Sequence, residues 1–87
     1  MNEARWRVRY VPRAQRDLRR LDPQIRARVL TALERLAADD PSIQERKLND
    51  AEEWRIRVGD WRVRFRREFP EREIVVLRVL PRGRAYR

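Results

Sequence analysis

No cysteine and no histidine occur among the 87 residues. The first absence excludes disulfide staples, and the two together exclude a Cys/His metal centre, so packing alone must hold the fold. There is also no Ser/His/Asp set, no glycine-rich nucleotide loop and no zinc-ligand spacing, and neither a metal nor a cofactor is expected. No stretch approaches the ~18 apolar residues of a membrane-spanning helix. The opening Met1-Asn2-Glu3-Ala4-Arg5 lacks the apolar segment and cleavage site of a secretory signal, so a cytoplasmic protein with no membrane partner is expected. Lysine is nearly missing as well: Lys47 stands alone against 22 arginines. The sequence contains no internal repeats and no low-complexity segments.

What is present is positive charge. A net charge of +9 with 43% charged residues marks a binder of polyanions or the partner of an acidic protein. So large an excess of one sign repels itself unless something neutralises it. A chain of this length makes a single domain, residues 1–87, that buries roughly 60–65% of the surface it exposes when unfolded. Its 41% hydrophobic residues, among them Trp6, Trp54, Trp61, Phe65 and Phe69, suffice for one modest core.

Along the chain, Trp6, Val8 and Tyr10 alternate with Arg5, Arg7 and Arg9, the pattern of a half-buried strand over 5–11. Pro12 suits a first helical turn, and Ala14, Leu18 and Leu21 give a short amphipathic helix ending near Leu21. Asp22-Pro23 then reads as an N-cap and first helical residue. Ile25, Val29, Leu33 and Leu36, with Leu30 beside them, form an apolar stripe at helical spacing that stops at Asp39-Asp40-Pro41. A link this short makes the two helices an antiparallel pair. Residues 41–53 show little periodicity and read as a polar connection. Three strands follow: Trp54 to Val58, Trp61 to Arg66, and the nearly continuous apolar run Ile74 to Leu80. The expected fold class is α+β, in the order β-α-α-β-β-β, with an antiparallel sheet and the helix pair packed on one face.

Gly59-Asp60 is a two-residue hairpin turn, and such a turn fixes register. It sets Val58 opposite Trp61, Ile56 opposite Val63 and Trp54 opposite Phe65 on the core side. On the other side Arg57 faces Arg62, and Arg55 faces Arg64. Like charges directly opposed across strands are destabilising, by up to ~1 kcal/mol per pair. Single arginines can splay into water. Four on one face point to a ligand: phosphate, which guanidinium grips with a fork of bonds, or the acidic segment of a partner protein. The C-terminal Arg82-Gly83-Arg84-Ala85-Tyr86-Arg87 can fold back beside this face. There Tyr86 either stacks on a base or transfers a proton, or it is simply a partly exposed tail aromatic.

The stretch Lys47-Leu48, then Trp54-Arg55-Ile56-Arg57-Val58-Gly59-Asp60-Trp61-Arg62-Val63-Arg64-Phe65, then Ile74 to Val79 and Arg82 to Arg87, resembles the RelE/ParE toxin superfamily, most of all its RelE branch. In that branch a similar hairpin is followed by an apolar strand and then by an arginine four residues before a tyrosine, as Arg82 precedes Tyr86. The resemblance implies a RelE-like fold and the toxin of a type II toxin–antitoxin pair. It implies a metal-independent endoribonuclease, an mRNA interferase that cuts mRNA in the ribosomal A site and so inhibits translation. It also implies a cognate acidic antitoxin that silences the toxin, with a heterotetramer of the two as one assembly. Carried over, the catalytic positions fall on Arg55, Arg57, Arg62, Arg82 and Tyr86, with Lys47, Arg64 and Arg84 as further RNA contacts. The chain departs from the pattern in two places. Arginine stands at both Arg55 and Arg57, where the best-known ribonucleases often carry lysine, and Pro81 stands where a histidine often precedes the arginine.

RNA cleavage by the 2′-hydroxyl needs alignment, neutralisation of a crowded phosphate, and proton transfer at each end. Arg55, Arg57, Arg62 and Arg82 can neutralise, usually the largest catalytic contribution. Arginine keeps its proton, so it cannot easily serve as a base. Tyr86, whose phenol surrounding arginines would help ionise, and Lys47 remain for proton transfer. Glu45, Glu52 and Glu53 read either as a base or as solvated loop acids. Two other functions stay open: a ParE-like inhibitor of DNA gyrase, and a non-catalytic RNA- or ribosome-binding member of the fold.

Overall fold

A two-residue turn with its glycine at φ +59° joins the two strands at the centre of this structure. The computed structural model describes residues 5–48 and 52–84. In chain order the elements are β1 (Arg7–Tyr10), α1 (Pro12–Arg19), α2 (Pro23–Ala37), β2 (Glu45–Leu48), β3 (Glu53–Val58), β4 (Trp61–Glu68) and β5 (Glu73–Pro81). A 3-10 turn over Arg82–Arg84 follows β5. The strands form one sheet in the order β1-β5-β4-β3-β2. The α+β class holds, with both helices packed on the sheet.

Two details differ from the sequence expectation. The stretch 41–53 is not all connection: β2 pairs antiparallel with β3 and makes an edge strand. Its sequence, Glu45-Arg46-Lys47-Leu48, carries three charges in a row and no alternation, so no period marks it. Short charged strands of this kind are how sheet edges avoid pairing with other chains. The sheet is also not wholly antiparallel, because β1 lies parallel to β5. The helix pair separates β1 from the rest of the sheet in sequence, so no turn signal reports its direction.

Both helices start at proline, after Val11 and Asp22, and neither preceding side chain caps the helix. The first helix also ends earlier than Leu21, at Arg19. The backbone N–H groups of Arg20 and Leu21 serve the carbonyls of Arg16, Asp17 and Leu18, and a side chain of α2 adds to them. Arg26 donates through Nε to the Leu18 carbonyl (2.9 Å) and through Nη2 to the Leu21 carbonyl (3.0 Å). Helix ends leave four carbonyls without intrahelical donors, so one guanidinium here closes α1 and fixes the angle between the helices.

The core lies between the helices and one sheet face. Val29, Leu33 and Leu36 of α2, with Ala14 of α1, pack against Ile56, Val63, Phe65, Ile74, Val76 and Val79. On β5 the inward residues run 74, 76, 79, because a bulge shifts the register: Arg64 faces Arg78, and Phe65 faces Val76. Leu77 is the extra residue, and the bulge re-aims everything after it. Beyond Val76 the β1 side of β5 has no strand to pair with. Asp17 of α1 fills the gap. Its carboxylate accepts the Val79 backbone N–H (2.9 Å) and is bound bidentately by Arg78 Nε (2.8 Å) and Nη2 (3.2 Å). The bond to Asp17 raises the Arg78 pKa above the ordinary arginine value.

This carboxylate therefore acts as a piece of strand and as a counter-ion at once. Removing one member of such a pair leaves the other charge poorly compensated, which costs about 3 kcal/mol. Asp17→Ala should lower the free energy of unfolding by about that amount, read as a lower urea midpoint with an unchanged m-value. The double variant Asp17→Ala/Arg78→Ala should be less destabilised than the two single losses combined. Additive losses would show that the two side chains are not coupled.

Candidate nucleic-acid interface

The register of β3 and β4 is the one the turn dictates: Val58 faces Trp61, Ile56 faces Val63, Arg57 faces Arg62 and Arg55 faces Arg64. Pairing with the flanking strands extends the second arginine pair. Arg46 of β2 faces Arg55, and Arg78 of β5 faces Arg64. Four arginines therefore stand abreast on four adjacent strands, at the usual inter-strand step of about 4.8 Å. Arg57 and Arg62 lie two residues further along on the same face.

Carboxylates meet this file at Arg64 and at Arg78. Glu53 of β3 pairs with Arg64, which donates to it through Nε (3.1 Å) and Nη2. Asp17 takes Arg78 round the edge of the sheet toward α1. Glu53 was open to reading as a solvated loop acid, as was Glu45; both sit in strands and hold ion pairs, Glu45 with Arg67. Glu52 is exposed in the turn before β3. Glu53 is thus a carboxylate placed by its strand on the same face as Arg55 and Arg57.

Burial sorts the arginines further. Arg55 is 6% exposed and Arg62 only 3%, whereas Arg46 and Arg57 are exposed. Arg62 curls back onto the hairpin turn, where its Nη1 donates to the carbonyls of Trp61 (3.1 Å) and Gly59 (3.4 Å). Its buried Nε finds no acceptor among the described residues. Arg82 reaches the same turn through its backbone, donating its N–H to the Asp60 carbonyl at 2.9 Å. Arg28 of α2 closes it from the helix side, with Nη2 3.5 Å from the point where a Cβ on Gly59 would sit. Glycine suits that position because of its positive φ; a Cβ there would make only an ordinary contact with Arg28. Arg46, Arg55 and Arg57, with Ser42, Ile43 and Gln44, line a groove of about 640 Å³ beside the file.

The structure brings Arg55, Arg57, Arg62 and Arg64 onto one face and Arg82 to its turn end. It places Lys47 elsewhere: Lys47 faces Trp54, on the opposite side of the sheet from Arg46 and Arg55. The backbone of Arg84 ends the 3-10 turn, and Tyr86 lies outside the described residues. The described tyrosine, Tyr10 on β1, is not at this face. Burial, then the nearby Glu34, raises its pKa, which keeps the phenol protonated. Arg46 and Glu53 are the members that sequence reasoning missed or left open. The cross-strand partner of Arg46 depends on an edge strand with no periodicity to announce it.

A surface of this kind has the charge and the donor groups to suit phosphate oxygens. Comparison with known proteins agrees with a toxin of this fold. Residues 8–86 match the family described as the ParE toxin of the type II toxin–antitoxin system parDE. The chain belongs to the ParE toxin family. Its fold is similar to that in the RelBE2 toxin–antitoxin complex of Mycobacterium tuberculosis (29% identity, TM-score 0.73, 88% of this chain and 98% of that one). It is also similar to the archaeal RelE–RelB complex of Pyrococcus horikoshii (26% identity, TM-score 0.72, 93% of this chain and 99% of that one). A RelB–RelE complex of Methanococcus jannaschii, at 22% identity, shares the fold with a TM-score of 0.74 over 90% of this chain and 94% of that one. No curated protein sequence gives a significant match. The toxin thus sits in the RelE/ParE superfamily with neighbours in the RelE branch. Among its described residues no helix is long and apolar enough to cross a membrane.

Exposed phosphate contacts and structural arginines should separate in binding. Arg46→Ala and Arg57→Ala should each weaken binding of single-stranded RNA oligonucleotides alike across sequences. Each should also reduce the slope of log K against log salt by about 1. Arg62→Ala should instead act mainly on stability, because its guanidinium is bonded to the turn. A titration in which Arg46→Ala and Arg57→Ala leave the slope unchanged would remove both from the phosphate contacts.

Proposed function

We propose that this toxin is a metal-independent endoribonuclease that cleaves mRNA on the ribosome by attack of a 2′-hydroxyl, and that an acidic antitoxin silences it. The observation that carries this reading is the file of arginines across the sheet, with Arg57 and Arg62 between it and a hairpin turn that also holds the Arg82 backbone. A phosphodiester seated there meets Arg55, Arg57 and Arg82, and neutralising the crowded phosphate in a preorganised site is the largest help protein can give this reaction. The 2′-oxygen forms a bond to phosphorus as the bond to the 5′-oxygen breaks. One group takes the 2′-hydroxyl proton and another returns a proton to the leaving oxygen. Arginine serves neither role well. Tyr86 is proposed for one, and the Glu53 carboxylate, held on the same face by Arg64, is the acceptor nearest to hand for the other. With so few acid–base groups, the reaction depends on the ribosome to hold the substrate in line.

The partners follow from the same surface. Two of the similar solved structures are complexes of a toxin with its antitoxin: RelBE2 of Mycobacterium tuberculosis and the archaeal RelE–RelB. An acidic antitoxin segment neutralises the arginines as RNA would, so the two compete, and a heterotetramer in the cytoplasm is the proposed resting assembly. A second reading, inhibition of DNA gyrase without RNA cleavage, is favoured by one observation: the family that matches residues 8–86 is that of the ParE toxin.

One experiment separates the two. Tyr86→Phe should slow ribosome-dependent mRNA cleavage about 10²-fold, the usual scale for a general acid or base, with antitoxin binding retained. Arg82→Ala should also slow it. Mapping of mRNA ends and an assay of DNA supercoiling after induction give the readout. Intact mRNA with impaired supercoiling would establish the gyrase reading instead, and equal cleavage by wild type and Tyr86→Phe would take Tyr86 out of the chemistry.

A further inference from the structure

β4 separates two ends of unlike character. At one lies the Gly59-Asp60 turn with its arginines; at the other, eight residues or about 26 Å away at strand rise, lies Phe69. Phe69 is 67% exposed, and it is the sole large exposed hydrophobic among the described residues. It stands edge-on to Trp6, with ring centroids 5.2 Å apart at 85°. Arg67 and Arg72 lie over the same indole, at 4.4 and 5.3 Å from its centroid. Tryptophan, phenylalanine and arginine held together in this way have the composition of an interface hot spot rather than of a solvated surface.

The charge around it is balanced. A cleft of about 1280 Å³ beside Trp6 is lined by four arginines and four carboxylates. Arg9 pairs with Glu73 (3.1 Å) and Arg66 with Glu68 (2.9 Å). On a chain carrying +9, this end combines an exposed aromatic with local neutrality, as no other region of the described residues does. That excludes a polyanion as its natural ligand, since nothing here attracts phosphate on balance. It also makes this the region through which two copies of so basic a protein can touch without bringing unneutralised arginines together.

We propose that the Phe69 end is a self-association surface through which two copies of the toxin pair about a twofold axis. A twofold contact puts the same patch on both sides, so each residue meets its complement in the other copy. The pair Arg72–Asp39 suits such an exchange. It is loose at 4.0 Å, and its side chains are 55% and 40% exposed. Across the axis Arg72 meets the carboxylate of Asp39 in the second copy, while the two Phe69 rings pack against the Trp6 clusters. The arginine faces then point away from each other, each open to its own partner. This inference does not depend on what that face binds.

Sedimentation equilibrium of the nuclease-treated full chain, from low to high micromolar concentration, tests it. A reversible monomer–dimer equilibrium that persists at high salt is expected, because the contact has no net charge to screen. Phe69→Glu should raise the dimer dissociation constant by about ten-fold or more, with an unchanged urea midpoint because the ring is exposed. Arg57→Ala should leave it unchanged. Asp39→Arg and Arg72→Glu should each weaken the dimer, and the double variant should recover it. A chain that stays monomeric at every concentration overturns the proposal. So does a dimer that Phe69→Glu leaves intact, or one that salt dissolves. If Phe69→Glu weakens antitoxin binding and no dimer of the wild type exists, the patch belongs to the antitoxin and the proposal is likewise overturned.

Discussion

A strand has a side-chain period of two, so the length of the turn between β3 and β4 decides which face every residue of both strands takes. With Gly59-Asp60 as the whole turn, the apolar residues of both strands fall on the helix side and the arginines on the other. One more residue in the loop would send Ile56 and Val63 to different faces. The rest of the structure gathers on this turn. Arg28 lies over it from α2, Arg62 bonds to its carbonyls from β4, and the chain beyond β5 is pinned to it through the Arg82 N–H. Glycine at its first position tolerates the positive φ.

Charge is the second organising constraint, and the fold handles it by segregation. A sheet face with arginines opposed in register is unfavourable by itself. Carboxylates are supplied to two of them from other elements: Asp17 from α1 to Arg78 and Glu53 from β3 to Arg64. At the Phe69 end acids and bases are matched. Toward the turn arginines outnumber the acids among the described residues, and the polyanion or acidic segment proposed as ligand would meet that excess of positive charge. The same asymmetry explains why the cleft beside Trp6 is a poor candidate for the functional site. It is roomy, yet its mixed charge and its place at the far end of β4 give it nothing to offer a phosphate.

Asp17 shows how a single side chain couples these constraints. The bulge at Leu77 lets β5 present Ile74, Val76 and Val79 to one core, and it leaves the Val79 N–H without a strand partner. Asp17 accepts that N–H and the Arg78 guanidinium together. Position along β5 is thereby locked just upstream of Arg82, so a residue on a helix helps set where a site arginine begins.

Much of this was determined by sequence alone. The period of two on either side of Gly59-Asp60, the helical stripe of Val29, Leu33 and Leu36, and the run from Ile74 to Leu80 are local patterns, and local patterns survive in the order of residues. They gave the α+β class, the hairpin register and the pairs Arg57/Arg62 and Arg55/Arg64. The tertiary structure decided what depends on partners distant in the chain. β2 became a strand although Glu45-Arg46-Lys47-Leu48 carries no period, because β3 offered it an edge; that pairing put Arg46 beside Arg55 and sent Lys47 to the other face. β1 joined β5 in parallel, a choice that no turn announces. Glu53 met Arg64, and Asp17 met Arg78 across 61 positions of sequence. Which arginines are buried, which are neutralised and which remain for a ligand follows from those encounters, since burial and ion pairing are properties of neighbours in space.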